Sequence, residues 1–229
     1  MILSHRWRFL FIKTRKTGST SVEIALSTIC GPEDVITPIT EEDEALRAEL
    51  GGRPPQNCLI PAAQRSPVRR LWKRLGGPGQ HFYNHIPAAL VRQVIEPGMW
   101  DGYTKFTIER NPYDRLLSAY YWNHPEEPRP TVLEFLGSAR ALHYHNAPLY
   151  QGDRGALLVD HVLRYEDLDR ELARIGRRLE LPDLPPLPRA KGGYRPDRRP
   201  PSEVLGPAER ALVAQRFHDE IERFGYVCE

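Results

Sequence analysis

Cysteine is scarce in this chain, and that scarcity removes several possibilities at once. Cys30, Cys58 and Cys228 are the three present, odd in number and without CxxC spacing. The pattern supports neither a disulfide framework nor a cysteine-based zinc site, and it suits a reducing compartment. Long apolar runs are missing too; none approaches the ~20 residues that span a bilayer. The opening stretch, Met1 to Arg8, lacks the apolar core and small-residue cleavage site of a secretory signal. No membrane span is expected, and the cytoplasm is the expected location. An excess of one charge is also wanting. With 32 basic and 30 acidic residues the chain carries +2, which gives no overall argument for nucleic acid or a membrane surface as partner.

What remains is an ordinary globular composition. Hydrophobic residues make up 40% and charged residues 27% of 229 residues, enough for one domain with a real core over 1–229. The charge is uneven. Arg65, Arg69, Arg70, Lys73 and Arg74 crowd one stretch, Arg189, Lys191, Arg195, Arg198 and Arg199 another, and Glu41 to Glu44 form an acidic run. Such runs are solvated faces or the borders of a site for an anion.

The patterning reads as alternating strands and helices. Arg8 to Lys13 is a short buried strand, followed by Val22, Ala25, Leu26 and Ile29 at helical spacing up to Gly31-Pro32. Tyr103 to Glu109 repeats the strand, Arg110-Asn111-Pro112 turns, and Tyr113 to Trp122 is helical with Pro112 near its first position. Leu157 to Leu163 predicts a third strand, feeding a helix with Leu168, Leu172, Ile175 and Leu179 on one face. A closing helix runs from Pro207 through Val213, Phe217, Ile221 and Phe224 to Gly225. Between these lie a short helix after Thr40, another from Pro87, and a Pro-rich loop over 182–201. Helices between separate strands predict an α/β fold, a P-loop-like central parallel sheet flanked by helices. Residues 33–100 form an irregular insertion within it.

The loop between the first strand and first helix carries the strongest chemical signal: Lys13-Thr14-Arg15-Lys16-Thr17-Gly18-Ser19-Thr20-Ser21. A loop opening a helix presents free backbone N–H groups and the positive end of a helix dipole, which suits phosphate-like anions. Gly18 allows close backbone approach, Lys16 supplies a point charge, and Ser19, Thr20 and Ser21 supply hydroxyls. A plain N-cap accounts for one hydroxyl, not for three with two lysines and a glycine. The magnesium-nucleotide loop GxxxxGK[ST] places lysine after glycine; here Lys16 precedes Gly18.

This K-T-G-S-T-S pattern resembles the 5′-phosphosulfate loop of sulfotransferases that use 3′-phosphoadenosine-5′-phosphosulfate (PAPS). Phe106 to Tyr120 resembles the family's 3′-phosphate segment, in which an arginine ends a strand and a serine follows eight residues later, here Arg110 and Ser118. His85-Ile86-Pro87 is similar to the segment with a catalytic histidine, and Val162 to Leu168 and Arg223 to Tyr226 are similar as well. The likeness is greatest to the carbohydrate branch, which includes heparan sulfate 2-O-sulfotransferases. The membrane anchor and cysteine pairs of the Golgi relatives are not present, which suggests a soluble enzyme of bacterial type.

The resemblance implies sulfuryl transfer from PAPS, without a metal, to a hydroxyl of an acceptor, a carbohydrate by analogy. Lys16 would neutralise the leaving oxygens, Thr17 to Ser21 cradle the 5′ side, and Arg110 and Ser118 hold the 3′-phosphate. His85 would be the base, held neutral by the helix that follows it, with His81 in reserve. Lys191, Gly192, Tyr194 and Arg195 would close over the nucleotide, or belong to a solvated linker. Three signals carry less weight: His143-x-His145, weak for a metal without a carboxylate or cysteine cluster nearby; Leu157 to Asp160, a Walker B-like strand or equally a buried strand ending in Asp; and Tyr120 to Trp122, packing rather than a sugar platform. A P-loop kinase or NTPase, and a noncatalytic nucleotide- or polyanion-binding module, are the competing functions.

Overall fold

The computed structural model describes residues 1–60, 81–188, 190 and 193–229. The basic run from Arg65 to Arg74, with Arg189, Lys191 and Gly192, lies outside the described residues.

In chain order the regular elements are β1 (Ile2–Ser4), β2 (Phe9–Phe11), α1 (Ser19–Ser27), β3 (Val35–Ile36), α2 (Glu41–Glu49), α3 (Ala88–Val94), α4 (Pro97–Gly102) and β4 (Thr104–Glu109). There follow α5 (Pro112–Asn123), α6 (Val132–Gly137), α7 (Ala139–Leu142), α8 (Ala147–Tyr150), β5 (His161–Arg164), α9 (Leu168–Arg178), α10 (Pro201–Val204), α11 (Pro207–Arg216) and α12 (His218–Phe224). The five strands form one sheet in the order β3-β1-β2-β4-β5. β2, β4 and β5 run parallel, while β1 pairs antiparallel with both β2 and β3. The sheet is therefore mixed, with a parallel core and an antiparallel edge.

Alternation along β2 explains the layers. Phe9 and Phe11 point to one face, where they meet Phe106, Ile108 and Leu163 of the neighbouring strands, Val22 and Leu26 of α1, and Leu172 and Ile175 of α9. Leu10 and Ile12 point to the other, packing with Ala88 and Val91 of α3, Trp100 of α4 and Tyr150 of α8. Each fully buried side chain of this size contributes roughly 1.5–3 kcal/mol, so covering both faces favours continuous apolar strands. A third cluster joins α5, α6, α7 and α11 through Leu116, Leu117, Phe135, Val213 and Phe217.

Several expectations change. Ile2 to Ser4 is a strand the periodicity did not reveal, because three residues before a tight turn carry no repeat. The third parallel strand starts only at His161; Leu157 instead makes an isolated bridge to Gln151. The closing helix is broken at Phe217, whose φ of −121° leaves the helical range. Val213 and Phe217 pack into the third cluster whereas Phe224 packs against the first, and one straight helix does not serve both. The acidic run Glu41 to Asp43 and Glu44 forms the first turn of α2, where carboxylates oppose the helix dipole favourably. In the Pro-rich loop, Leu184 and Leu187 pack against the second cluster.

Candidate active-site cleft

Parallel pairing makes the two strand-to-helix junctions neighbours. Phe9 lies opposite Thr104 and Phe11 opposite Phe106, so β2 and β4 end side by side. Beyond the ladder the stitching continues: Ile12 N–H donates to the Phe106 carbonyl at 2.9 Å, Thr107 Oγ1 to that of Ile12 at 2.7 Å, and Thr14 Oγ1 to that of Ile108 at 2.5 Å. Outside these carboxyl ends, the usual ligand position in α/β sheets, lies a cleft of about 500 Å³. Thr14 to Thr20 line it from the first junction, and Arg110, Asp114, Ser118 and Trp122 from the second. His85, His143, Tyr144, Tyr165, Ala190, Tyr194, Arg195 and Arg198 complete the wall.

The first junction is built from backbone and hydroxyl bonds. Thr14 spends its hydroxyl proton on Ile108, so Thr17 Oγ1 donates to Thr14 Oγ1 at 2.8 Å; Ser19 Oγ donates to the Thr14 carbonyl at 2.5 Å. Gly18 is the N-cap of α1, with φ +72° and no side-chain cap, so the plain N-cap reading of the hydroxyls does not describe this helix. A Cβ on Gly18 would stand 3.0 Å from the Tyr165 ring. Glycine is required twice here, for left-handed backbone and for space. Lys16 is also left-handed, φ +58°, and its Nζ sits 4.5 Å from the centre of the Trp122 ring. Thr20 reaches the cleft, whereas Ser21 is buried and is not part of the lining. Lys13, counted as a second loop lysine, is buried and pairs with Glu23 at 2.5 Å. Burial pushes the Glu23 carboxyl up, but Lys13 and the Met1 amino group prevail and hold it at about 2.

The second junction is built from charges. Arg110 Nε and Nη2 donate to Asp114 Oδ2 at 2.8 and 2.5 Å, and Nη1 to the Lys16 carbonyl at 3.1 Å, which ties one junction to the other. Its guanidinium lies 4.2 Å from the Tyr165 ring centre. Asp114 also accepts from Arg195, which donates further to the carbonyls of Asp197 and Arg199. Asn111 caps α5 by accepting from Tyr113 N–H at 3.1 Å, and its own N–H donates to Glu166 at 2.7 Å. Beneath, fully buried Arg115 bridges Glu109 and Glu220. Burial pushes the Glu109 carboxyl up to about 7; Arg115 opposes this and Glu220 adds to it.

His85 Nδ1 lies 3.1 Å from the Lys13 carbonyl. A carbonyl only accepts, so Nδ1 carries the proton and Nε2 keeps its lone pair. Burial, then the charge of Lys13, lowers its pKa to about 3, so the ring is neutral at pH 7. The neutrality expected from a helix dipole thus has a different main cause. His81 is exposed, bridges to Leu59, and is absent from the cleft lining.

His143 lines the cleft while the His145 ring packs on Phe217, so the two do not form a chelating pair, and no group of three His, Cys, Asp or Glu among the described residues is arranged to hold a metal ion. Asp160 precedes β5 and pairs with Lys105 at 3.0 Å, at the strand end away from the cleft, whereas a Walker B aspartate ends its strand. Tyr120 is core, as expected, but Trp122 lines the cleft, with the Tyr194 ring 4.3 Å away and inclined 65°. Tyr194 and Arg195 are both in the wall; Lys191 and Gly192 lie outside the described residues. Thr14, Arg15, Asp114, His143, Tyr144 and Tyr165 also line the cleft, as does Arg198 of the second basic run. Asp114 and Tyr165 lie inside the two family-like segments, four residues after Arg110 and at the end of β5.

The molecule is thus an α/β protein with a cation-lined cleft at the carboxyl edge of its parallel strands. Among known families, the sulfotransferase family matches residues 1–227, and the chain belongs to it. Sulfuryl transfer is accordingly its general chemistry. An uncharacterized protein of Archaeoglobus fulgidus is 28% identical over 102 residues, 43% of this chain and 85% of that protein. No helix among the described residues is long and apolar enough to cross a membrane.

Proposed function

We propose that this protein transfers a sulfuryl group from PAPS to a hydroxyl of a carbohydrate or glycoconjugate, with Lys16 and His85 as catalytic residues. The observation that carries the reading is the meeting of both junctions on one cleft, joined by the bond from Arg110 to the Lys16 carbonyl. The residues fit a bisphosphate nucleotide. Lys16, Arg110, Arg195 and Arg198 supply positive charge, and Gly18 lets the loop seat against the Tyr165 ring. Thr17, Gly18, Ser19 and Thr20 would form the 5′ cradle through their backbone N–H groups, Thr20 through its hydroxyl as well, while Ser21 lies behind the lining. Arg110 and Ser118 would hold the 3′-phosphate, with Tyr194 and Arg195 beside it in the wall.

PAPS supplies an activated sulfuryl group on a phosphate leaving group. Lys16 neutralises the charge that collects on the oxygen between phosphorus and sulfur, while the junction holds attacking and leaving oxygens in line. His85 Nε2 accepts the acceptor's proton as the new sulfur–oxygen bond forms. Alone in the cleft the ring is a weak base, because burial first, and then the charges of Lys13 and Arg15, disfavour a proton there. A polyanion bound beside those cations raises its affinity for the proton. On the acceptor side stand His85, His143 and Tyr144, from the described parts of 33–100 and 123–155.

A kinase or NTPase is disfavoured by the order of Lys16 and Gly18 and by the position of Asp160. Thermal shift separates the readings. The desulfated product PAP should stabilise the chain strongly and Mg-ATP weakly; the reverse ranking supports the kinase. PAP binding without any consumption of PAPS in the presence of cell extract leaves a noncatalytic module.

A further inference from the structure

Lys16 lies between two peptide groups that the rest of the protein holds fixed. Left-handed backbone is unfavourable for lysine, and such conformations persist only where the surroundings impose them. On one side, Arg15 N–H donates to Asn146 Oδ1 at 2.9 Å and the Arg15 carbonyl accepts from Asn146 Nδ2 at 3.1 Å. The side-chain amide pairs with Arg15 as a neighbouring strand would. On the other side, the Lys16 carbonyl accepts from Arg110. The orientation of the Asn146 amide is dictated: a backbone N–H must face its oxygen and a carbonyl its nitrogen.

Asn146 is itself immobilised. It is fully buried, and its N–H donates to Glu220 Oε1 at 2.7 Å. Glu220 is bound by Arg115, which also binds Glu109, and Asn146 Nδ2 reaches Glu109 Oε1 at 3.4 Å. The buried ion cluster under the second junction thus extends, through one amide, to the backbone of the first. Asn146 does not line the cleft and touches no reacting group.

We infer that Asn146 is a positioning residue that holds the Arg15-Lys16 backbone so that the Lys16 ammonium meets the leaving oxygens. This rests on the sulfotransferase reading above. Misplacement of a catalytic group by about 1 Å costs on the order of 100-fold in rate. Asn146→Ala should therefore lower the release of PAP from PAPS, with cell extract as acceptor source, by about that factor, while the KM for PAPS and the thermal shift given by PAP stay within about threefold. Asn146→Ser, which retains one donor, should lose less and guards against a failure of the alanine variant to fold. A structural role alone would not distinguish kcat from KM.

The decisive measurement is the double substitution. On a Lys16→Ala background, Asn146→Ala should cost less than about threefold, because the group it positions is gone. Additive losses, or a parallel fall in PAP binding, overturn the inference. If the unsubstituted chain binds PAP but releases none from PAPS, the functional reading fails and this one with it. If that chain turns over and Asn146→Ala turns over equally well, only this inference fails.

Discussion

The two junctions that form the cleft are built on opposite principles. The first, over Thr14 to Ser19, is set by neutral hydrogen bonds among Thr14, Thr17, Ser19 and backbone carbonyls, with left-handed backbone at Lys16 and Gly18. The second, Glu109 to Ser118, is set by ion pairs, from Arg110 to Asp114 and from Arg115 to Glu109 and Glu220. Neutral bonds fix shape without competing for an incoming anion. Ion pairs keep cations organised, yet Asp114 already engages Arg110 and Arg195, so an anion arriving there must share them. The first junction is suited to chemistry and the second to affinity.

That contrast is broken most severely at the catalytic pair. Lys16→Ala should reduce turnover by about 10²–10³-fold, the loss typical of removing one electrostatic contact to a transition state. His85→Ala should abolish measurable turnover. In both variants the thermal shift given by PAP should persist. Near-normal turnover in either one removes its assignment. Arg110→Ala tests the other half and should have a smaller effect of a different kind. It should weaken PAP binding about 10- to 100-fold, the loss of a charge-assisted hydrogen bond worth ~1.5–3 kcal/mol. A fall in kcat with PAP affinity unchanged would reverse the roles given to the two junctions.

Next in size is Gly18→Ala. A left-handed alanine costs about 1–2 kcal/mol, and its methyl group would meet the Tyr165 ring at 3.0 Å. The variant should melt lower by several degrees and lose affinity for PAP. An unchanged melting temperature would mean that the loop relaxes freely, contrary to its hydrogen-bonded design. Glycines elsewhere offer a control: nothing lies within 4 Å of a Cβ built at Gly98 or Gly137, and neither has left-handed backbone.

Local pattern made much of this legible. Apolar periodicity locates β2, β4, α1, α5 and α9; loop chemistry points to Lys16 and Gly18 and the family resemblance to Arg110 and Ser118, and all four line the cleft. What escaped was long-range or short. Ile2 to Ser4 is too brief to show alternation. The break at Phe217 depends on which cluster each turn packs against. Trp122 has core neighbours in sequence, and only the arrival of Lys16 and Tyr194 from distant segments brings it into the cleft. Asn146 is 131 residues from its partner Arg15, and no spacing rule connects them. The neutrality of His85 was expected from the helix after it, but burial and Lys13 dominate, and burial is a property of the packed whole.

The smallest expected effect concerns pH and stability, and it sets the two junctions against each other. His85, on the first, has its pKa lowered from 6.5 to about 3, so between these values the unfolded chain binds more protons and stability falls as pH falls. Glu109, under the second, has its pKa raised from 4.5 to about 7, so between these values the folded chain binds more protons and stability falls as pH rises. From about 4.5 to 6.5 the two slopes oppose, each at most about 1.4 kcal/mol per pH unit. Their joint contribution is nearly flat. Below 4.5 the Glu109 slope ends, and Glu23, held at about 2, loses its stabilisation alongside His85, so unfolding should become steep. His85→Gln should remove the His85 slope and leave that of Glu109, so that stability falls less than in the parent chain as pH is lowered from 6.5 to 4.5. Urea titrations across that range measure it directly. A variant that follows the parent pH profile would show that His85 carries no proton linkage, and would undo the account of its buried, neutral ring.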